Sequence, residues 1–251
     1  MKPLEGRSII VTGAAQGIGA TFALALAEQG AQVAVCDVRS PEYTVARVRE
    51  LGGIAWGDSC DVTDGPAVAR FVARTEEVFG GVHGLVNNAA LFATLPKRPL
   101  EEITSADFDR VMAVNVRGAF ECAKAVAPVM RRQGYGKIVN IASGTVFKGQ
   151  VQMLSYVTSK GAVVAMTRCL ARELGPAGIR ANCLAPGFTM SEGVAEQADW
   201  VKDGQATVAG RCLRRDQTPE DLTGALAFLL SAGSDFMTGQ TVVVDGGSVM
   251  H

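Results

Sequence analysis

The chain has 251 residues, of which 48% are hydrophobic and 20% are charged, and this composition is typical of a globular protein. The length suits one α/β domain with a large core, so we expect a single domain over residues 1–251. A formal net charge of −1 gives no electrostatic argument for binding nucleic acid or an anionic membrane, where an excess of basic residues is expected.

The N-terminal sequence and the cysteines favour a reducing, cytoplasmic location. The first residues lead into a predicted strand without the regions of a signal peptide, and no apolar run is long enough to span a bilayer. The six cysteines show no C-x-x-C spacing and fall mostly in apolar patterns, as small hydrophobic residues do. The two histidines are interpreted as a strand-edge residue, His83, and a solvated tail, His251, so we expect no metal site.

Seven short β-branched runs alternate with longer helical patterns along the chain. Continuous apolar strands separated by helices indicate an α/β fold of the Rossmann type, with a doubly wound parallel sheet covered by helices on both faces. In such folds, ligands bind beyond the carboxyl ends of the strands. We predict strands near residues 7–12, 31–36, 54–59, 84–87, 137–142, 179–184 and 240–245.

Two connections are longer than a βα unit needs, and they span residues 91–104 and 188–215. Long loops beside a cleft often act as lids or determine specificity. We predict that residues 188–215 form a substrate lid, and the alternative is a surface insertion without function.

A glycine-rich turn, TGAAQGIG, joins the first predicted strand to the first helix. Gly13, Gly17 and Gly19 would let the backbone and the helix N-terminus approach a pyrophosphate, with Gln16 and Ile18 completing the turn. The G-x-x-x-G-x-G spacing differs from the more common G-x-G-x-x-G, so the interpretation depends on the position of the turn between a strand and a helix.

Asp37 ends the second predicted strand, where a carboxylate can accept hydrogen bonds from the adenosine ribose of a dinucleotide. Its charge would repel the 2′-phosphate of NADP, so we expect NAD as the cofactor. A solvated turn residue or a helix cap is the alternative, and the guanidinium of Arg39 could partly offset the repulsion.

Tyr156 and Lys160 lie four residues apart on a helix predicted over residues 155–175, so both side chains project toward one cleft. Because a nearby ammonium favours the phenolate, Lys160 is predicted to lower the pKa of Tyr156. An exposed helix pair is the alternative. Ser143 ends the fifth predicted strand, where its hydroxyl could bind a substrate oxygen or simply cap the strand.

Taken together, these motifs resemble the short-chain dehydrogenase/reductase family over essentially the full length of the chain. Ala90 is a departure, because the family usually has glycine there. The segments that carry the resemblance are TGAAQGIG, Asp61-Val62, Asn87-Asn88-Ala89, Asn115 in VNVRG, Ser143 in NIASG, Tyr156 and Lys160 in YVTSK, and Pro186-Gly187.

The resemblance implies roles for further residues. Asp61 and Val62 would flank the adenine, and Asn87, Asn88 and Ala89 would line the cofactor path. Beyond Pro186 and Gly187, Thr189 would hold the nicotinamide carboxamide by its backbone and Ser191 by its hydroxyl. Asn115, in a helix predicted over about 107–133, would support Lys160 through a water relay, and an equal alternative is that it satisfies a local kink. Relatives are commonly tetramers that pair this helix and the helix at 155–175, so a homotetramer is expected.

The family pattern implies oxidation of an alcohol or the reverse reaction. Tyr156 would take the hydroxyl proton, Ser143 would hold that oxygen, and Lys160 would also bind ribose hydroxyls while the hydride passes to the nicotinamide. The alternatives are an NADP-dependent 3-oxoacyl-thioester reductase and a catalytically silent dinucleotide-sensing protein. Apolar residues predicted near the cleft favour a small apolar or aromatic substrate: Leu91, Phe92, Val146, Phe147, Val151, Met153, Leu154, Phe188, Met190 and Trp200.

Overall fold

The computed structural model describes residues 2–250, apart from the side chains of residues 198, 203 and 205. His251, interpreted above as a solvated tail, lies outside the described residues. The strands are β1 Ser8–Thr12, β2 Gln32–Asp37, β3 Ile54–Ser59, β4 Gly84–Asn87, β5 Gly136–Ile141, β6 Ile179–Pro186 and β7 Thr241–Val244.

The seven strands form one parallel sheet in the order β3-β2-β1-β4-β5-β6-β7. The order reverses between β1 and β4, which is where a doubly wound sheet opens a crevice for ligands. The predicted Rossmann-type fold is therefore confirmed, with strand boundaries within two residues of those expected.

Helices connect the strands and cover both faces of the sheet. Short 3₁₀ helices lie at Leu100–Glu102, Gly175–Ala177, Pro219–Leu222 and Ala232–Ser234. Within the described part of the chain, the α-helices are α1 Gly17–Glu28, α2 Glu42–Glu50, α3 Gly65–Phe79, α4 Ser105–Met112, α5 Ala119–Gln133, α6 Thr145–Lys148, α7 Leu154–Leu174, α8 Glu192–Ala195, α9 Ala198–Gly210 and α10 Thr223–Leu230.

Each face of the sheet has its own apolar core. Side chains alternate along a strand, so Ile9 and Val11 of β1 pack with α1 and α10, while Ile10 between them packs on the opposite face with α3 and α5. Central strands buried on both faces explain why their sequences read as continuous apolar runs.

The helix predicted over residues 107–133 is interrupted. Its middle is a π-helical turn at Ala113–Gly118, which separates α4 from α5 and contains Asn115. A π turn holds one more residue per hydrogen-bonded turn than an α-helix, and such turns are frequent at functional sites.

The two long connections, residues 91–104 and 188–215, both contain helical segments. Residues 188–215 contain α8 and α9, and Trp200 of α9 donates its indole N–H to the carbonyl oxygen of Ala93 at 3.2 Å. The two long connections therefore contact each other at one end of the sheet. None of the helices in residues 2–250 is long and apolar enough to cross a membrane.

Candidate active site

The carboxyl ends of the central strands border a cavity of about 1030 Å³. Asp37, the last residue of β2, and Ser143, two residues after β5, both line the cavity, as do Tyr156 and Trp200. Strands β1 and β4 lie between β2 and β5 in the sheet, so Asp37 and Ser143 border opposite ends of the cavity. All the site residues predicted from the sequence line it except Asn115 and Asn87. An extended cavity at the reversal point of the sheet has the shape that a dinucleotide and a small substrate need.

The three positions of the first turn, Gly13, Gly17 and Gly19, require glycine for different structural reasons. A Cβ atom on Gly13 would lie 2.6 Å from the Cα atom of Ala89, and one on Gly19 would lie 2.2 Å from the carbonyl oxygen of Gly13. These two positions are therefore restricted to glycine by packing within the protein. Gly17 adopts a positive φ of 59° and borders open space, with the Cβ atom of Ser191 3.8 Å away from the position of its missing side chain.

The N-terminus of α1 is suited to a diphosphate. Its N-cap residue, Gln16, makes no side-chain hydrogen bond to the first turn, although the first N–H groups of a helix lack partners within the helix. Gln16, Gly17 and Ile18 line the cavity, so these donors and the positive end of the helix dipole are directed to where an anion would bind. These residues fit a dinucleotide cofactor.

Asp37 is held in place by the backbone on both sides. Its Oδ2 accepts the N–H of Ala15 at 3.1 Å, and its Oδ1 accepts the N–H of Arg39 at 3.1 Å. The guanidinium of Arg39 lies 3.8 Å from Oδ1 and donates to the side chain of Gln16 at 2.7 Å. The carboxylate is therefore pre-oriented at the cavity wall, with a half-exposed cation beside it.

Asn87 is not among the residues that line the cavity, so its expected place on the cofactor path stays a prediction. As the last residue of β4, it points away from the cavity and donates to the carbonyl oxygen of Ala119 and to Oδ1 of Asn140. The next residue, Asn88, lines the cavity and donates to the carbonyl oxygens of Thr12 and Gly13. Asn88 thus ties the end of β4 to the glycine-rich turn. Ala90 also borders the cavity, and its φ is not positive, so its methyl group is accommodated without strain.

The hydroxyl of Ser143 is oriented by a residue that the sequence analysis did not identify. Thr145 donates its hydroxyl to the Ser143 Oγ at 2.9 Å, and its N–H lies 3.3 Å from the same oxygen. Since Ser143 accepts from Thr145, its own proton is available to be donated toward Tyr156, which also lines the cavity. The only signal in the sequence is the Ser-Gly-Thr spacing after β5.

Tyr156 and Lys160 are both buried, and burial dominates their ionisation. Burial raises the pKa of Tyr156 to about 12, and hydrogen bonding with Ser143 opposes the rise. Burial lowers the pKa of Lys160 to about 8. The Lys160 Nζ lies 5.8 Å from the centre of the Tyr156 ring and donates to the carbonyl oxygen of Ile141 at 2.7 Å. The pKa of Tyr156 is therefore raised and not lowered as expected, because desolvation outweighs the hydrogen bond with Ser143.

Asn115 braces the N-terminal part of α7 and is not among the residues that line the cavity. Its Oδ1 accepts the N–H of Leu91 at 2.7 Å, and its Nδ2 donates to the Leu91 carbonyl oxygen at 3.3 Å and to the Ser159 hydroxyl at 3.0 Å. Ser159 in turn donates to the carbonyl oxygen of Tyr156 at 2.6 Å. The π-helical turn, the loop after β4 and the first turn of α7 are therefore connected through one buried amide.

Aromatic side chains form a wall beside Tyr156. The Phe92 ring centre lies 4.8 Å from that of Tyr156 and 4.8 Å from that of Trp200, and the Phe188 ring lies 6.0 Å from Trp200. Five of the ten apolar residues predicted at the cleft line it, namely Leu91, Phe92, Met153, Phe188 and Trp200.

The other five predicted cleft residues lie elsewhere. Val146 and Phe147 pack against the core around Val163, because α6 turns them inward. Val151 and Leu154 are exposed, and Met190 packs behind the aromatic wall. The apolar character of a segment therefore did not show which of its residues face the cavity.

Comparisons with known proteins agree with this geometry. A family profile described as Enoyl-(Acyl carrier protein) reductase matches residues 13–249. The short-chain reductase protein NovJ from Streptomyces niveus is 38% identical over 245 residues, covering 95% of this chain and 92% of the relative. The crystal structure of levodione reductase superposes with a TM-score of 0.93 at 31% identity, covering 99% of this chain and 100% of the other.

A further similar structure is that of NAD⁺-bound xylitol dehydrogenase, which has a TM-score of 0.91 and 35% identity and covers 98% of this chain and 100% of the other. Both the sequence match and the fold match extend over nearly the whole chain, and they include the segments that line the cavity. The chain belongs to the short-chain dehydrogenase/reductase family and is an oxidoreductase of that family.

Proposed function

We propose that the protein is an NAD-dependent dehydrogenase that interconverts a small alcohol and the corresponding carbonyl compound. The observation that carries the proposal is the convergence of Ser143, Tyr156 and Lys160 at one end of a cavity whose other end is bordered by Asp37. NAD, when bound, supplies the hydride acceptor for oxidation and, in its reduced form, the hydride donor for reduction. The remaining chemistry is the transfer of one proton at the substrate oxygen.

Asp37 supports NAD over NADP. The two backbone hydrogen bonds that orient its carboxylate place a negative charge where the adenosine ribose of the cofactor would bind. A 2′-phosphate there would meet this charge, whereas 2′ and 3′ hydroxyls would donate to it. The positive charge of Arg39 favours NADP, but its guanidinium already contacts Gln16 and Asp37.

In the proposed oxidation, the Tyr156 phenolate would take the proton of the substrate hydroxyl, and in the reduction the Tyr156 hydroxyl would return a proton to the carbonyl oxygen. Ser143 would donate a hydrogen bond to the same oxygen, because its Oγ already accepts from Thr145. Lys160 would stabilise the phenolate and bind the cofactor ribose hydroxyls, while Asn115 and Ser159 hold the first turn of α7 in place. The other half of the cavity wall, formed by Phe92, Phe188 and Trp200, favours an apolar or aromatic substrate.

One alternative has a specific observation in its favour. The matching family profile is described as an Enoyl-(Acyl carrier protein) reductase, which agrees with a reductase that acts on acyl thioesters, the class of the NADP-dependent alternative. The carboxylate of Asp37 argues against it because NADP carries a 2′-phosphate, and the formal net charge of −1 argues against it because that activity would favour a basic docking surface.

A homotetramer and a cytoplasmic location stay predictions.

The test is a kinetic comparison of both cofactors with a panel of aromatic alcohols, polyols and acyl thioesters, followed through the absorbance of the reduced nicotinamide. We expect at least a ~10-fold preference for NAD in kcat/KM, equivalent to about 1.4 kcal/mol. Asp37→Ala should narrow this preference through weaker NAD binding, whereas the exposed Asp58→Ala should not. Comparable efficiency with both cofactors in the unmodified protein would refute the assignment.

The catalytic assignment has its own control. Tyr156→Phe should retain cofactor binding and lose at least ~100-fold in turnover, because the proton acceptor is removed. Tyr135→Phe, which alters a tyrosine next to the first residue of β5, should leave turnover unchanged. Near-normal turnover in Tyr156→Phe would exclude the proposed mechanism.

A further inference from the structure

The helix α9 packs against the aromatic ring of Phe188. The Trp200 ring lies 6.0 Å from the Phe188 ring, and a Cβ atom on Gly204 would lie only 3.1 Å from the Phe188 Cε1 atom. The same Cβ atom would lie 3.4 Å from the sulfur of Met190. Gly204 therefore lets the helix approach the segment that follows β6 more closely than any other residue would.

Arg211 is the first residue after α9, and its side chain contacts the main chain of Phe188. Its side chain is 3% exposed, and its guanidinium donates to the carbonyl oxygens of Phe188 and Arg215 and lies 3.5 Å from the Oε1 of Gln217. A planar guanidinium with fixed donor directions can hold several acceptors in one geometry, which an ammonium cannot. Phe188 is thus held on its ring by the middle of α9 and on its carbonyl by the residue at its end.

The far side of the same segment is also fixed. Met190 donates its N–H to the carbonyl oxygen of Gln217 at 2.8 Å, and Thr189 and Gln217 form an isolated bridge. The Gln217 side chain donates to the carbonyl oxygen of Val244 at 2.7 Å. Residues 188–190 therefore have little freedom to move unless α9 or Arg211 moves as well.

We propose that Arg211 is a positioning residue for the nicotinamide end of the cofactor, and that α9 sets the position of residues 187–191 through Arg211 and Gly204. The proposal rests on the proposed function, because it takes residues 187–191 as the nicotinamide-binding segment. Arg211 does not border the cavity, whereas Gly187, Phe188, Thr189 and Ser191 do. It therefore acts through the carbonyl of Phe188, and the position of α9 determines how well the nicotinamide is held.

The experiment compares two ligands that differ in the nicotinamide. ADP-ribose contains the adenosine, diphosphate and second ribose but lacks the nicotinamide, so it reports on the cavity next to Asp37, α1 and Lys160 and not on the contacts of the nicotinamide. Dissociation constants for NADH and ADP-ribose would be measured by calorimetry for the wild type, Arg211→Met and Arg211→Lys. Arg214→Met is the matched control, since Arg214 is an exposed arginine three residues further on.

We expect Arg211→Met to weaken NADH binding by roughly 10-fold, which is the size of one lost hydrogen bond to a charged group, and to change ADP-ribose binding less than ~2-fold. Arg211→Lys should recover part of the NADH affinity because it keeps the charge and one donor. Arg214→Met should change the affinity for neither NADH nor ADP-ribose.

Gly204→Ala tests the same segment without removing Arg211. Alanine favours the helix more than glycine does, so α9 is retained, but its methyl group pushes against the Phe188 ring. The variant should show the same selective loss of NADH binding, whereas Gly224→Ala in α10, where a Cβ atom meets nothing within 4 Å, should not.

Equal weakening of both ligands in Arg211→Met, or of neither, would overturn the proposal. If Arg211→Met fails to fold, an unselective effect of Gly204→Ala would overturn it in the same way. A wild-type protein that binds ADP-ribose but not NADH would instead overturn the cofactor assignment on which this proposal rests.

Discussion

Lys160→Met should make the ionisation of Tyr156 more difficult when the oxidised cofactor is bound. Methionine has a similar length and no charge, so the change removes the ammonium that lies 5.8 Å from the centre of the Tyr156 ring. At an effective dielectric constant of about 20, two unit charges at this separation interact by roughly 3 kcal/mol. Since one pH unit corresponds to about 1.4 kcal/mol, the midpoint of Tyr156 ionisation should rise by about two pH units.

This magnitude also limits what Lys160 can do alone. Burial raises the pKa of Tyr156 to about 12, and bringing it to neutrality requires roughly 7 kcal/mol of stabilisation of the phenolate. Lys160 supplies somewhat less than half of that amount. The hydrogen bond with Ser143 already acts within the pKa of about 12, so we assign the rest to the positive charge that the oxidised nicotinamide would bring into the site.

The assay is an ultraviolet titration of phenolate absorbance, which requires no substrate. Subtracting the curve of the Tyr156→Phe protein removes the contributions of Tyr43 and Tyr135. Without cofactor, Tyr156 should stay protonated to about pH 11, and NAD⁺ should lower its midpoint in the wild type more than in Lys160→Met. Identical midpoints in the two NAD⁺-bound proteins would refute the role given to Lys160.

Lys160→Met should also stabilise the unliganded protein at pH 7, by up to about 3 kcal/mol. Burial lowers the pKa of Lys160 from 10.5 to about 8, so the unfolded wild type binds more protons than the native state and wild-type stability rises between these two pH values. Urea unfolding should therefore show an advantage of the variant at pH 7 that disappears near pH 10.5, and a constant difference would contradict this. Asn115→Ala leaves the buried N–H and carbonyl of Leu91 without their partner and should cost about 2–4 kcal/mol of unfolding free energy, so a loss below about 1 kcal/mol would argue against the bracing role. Hydrogen exchange of residues 188–215 should slow when cofactor and substrate bind together, and protection confined to other segments would indicate that the insertion is structural.

The sheet could be predicted from the sequence because its strands are buried on both faces. Continuous β-branched runs such as SIIVT have few other stable environments in a globular protein, so the existence of the strands and their positions along the chain followed. Tyr156, Lys160 and Ser143 could be placed together for a related reason, since parallel strands and the helices after them direct their ends to the same edge of the sheet.

Features that depend on tertiary packing could not be predicted in this way. Asn87 and Asn88 are adjacent and chemically identical. Only the backbone conformation at the end of β4 decides which of the two side chains faces the cavity. The raised pKa of Tyr156 follows from burial, which sequence spacing does not report. Arg211 gave no signal because two of its three partners are main-chain carbonyls, which every residue possesses.

The π-helical turn at Ala113–Gly118 constrains how the length of the chain can change. An α-helix advances by 100° per residue, so removing one residue from this turn would restore an α repeat and rotate everything on one side by about 100° relative to the other. Val111 of α4 and Cys122 of α5 are both buried, and they could not both keep their environments after such a rotation. The extra residue allows these two helices to bury their own faces while Asn115 still points at Leu91 and Ser159. Single-residue deletions are therefore excluded from this segment, although substitution of its exposed residue, Arg117, is not.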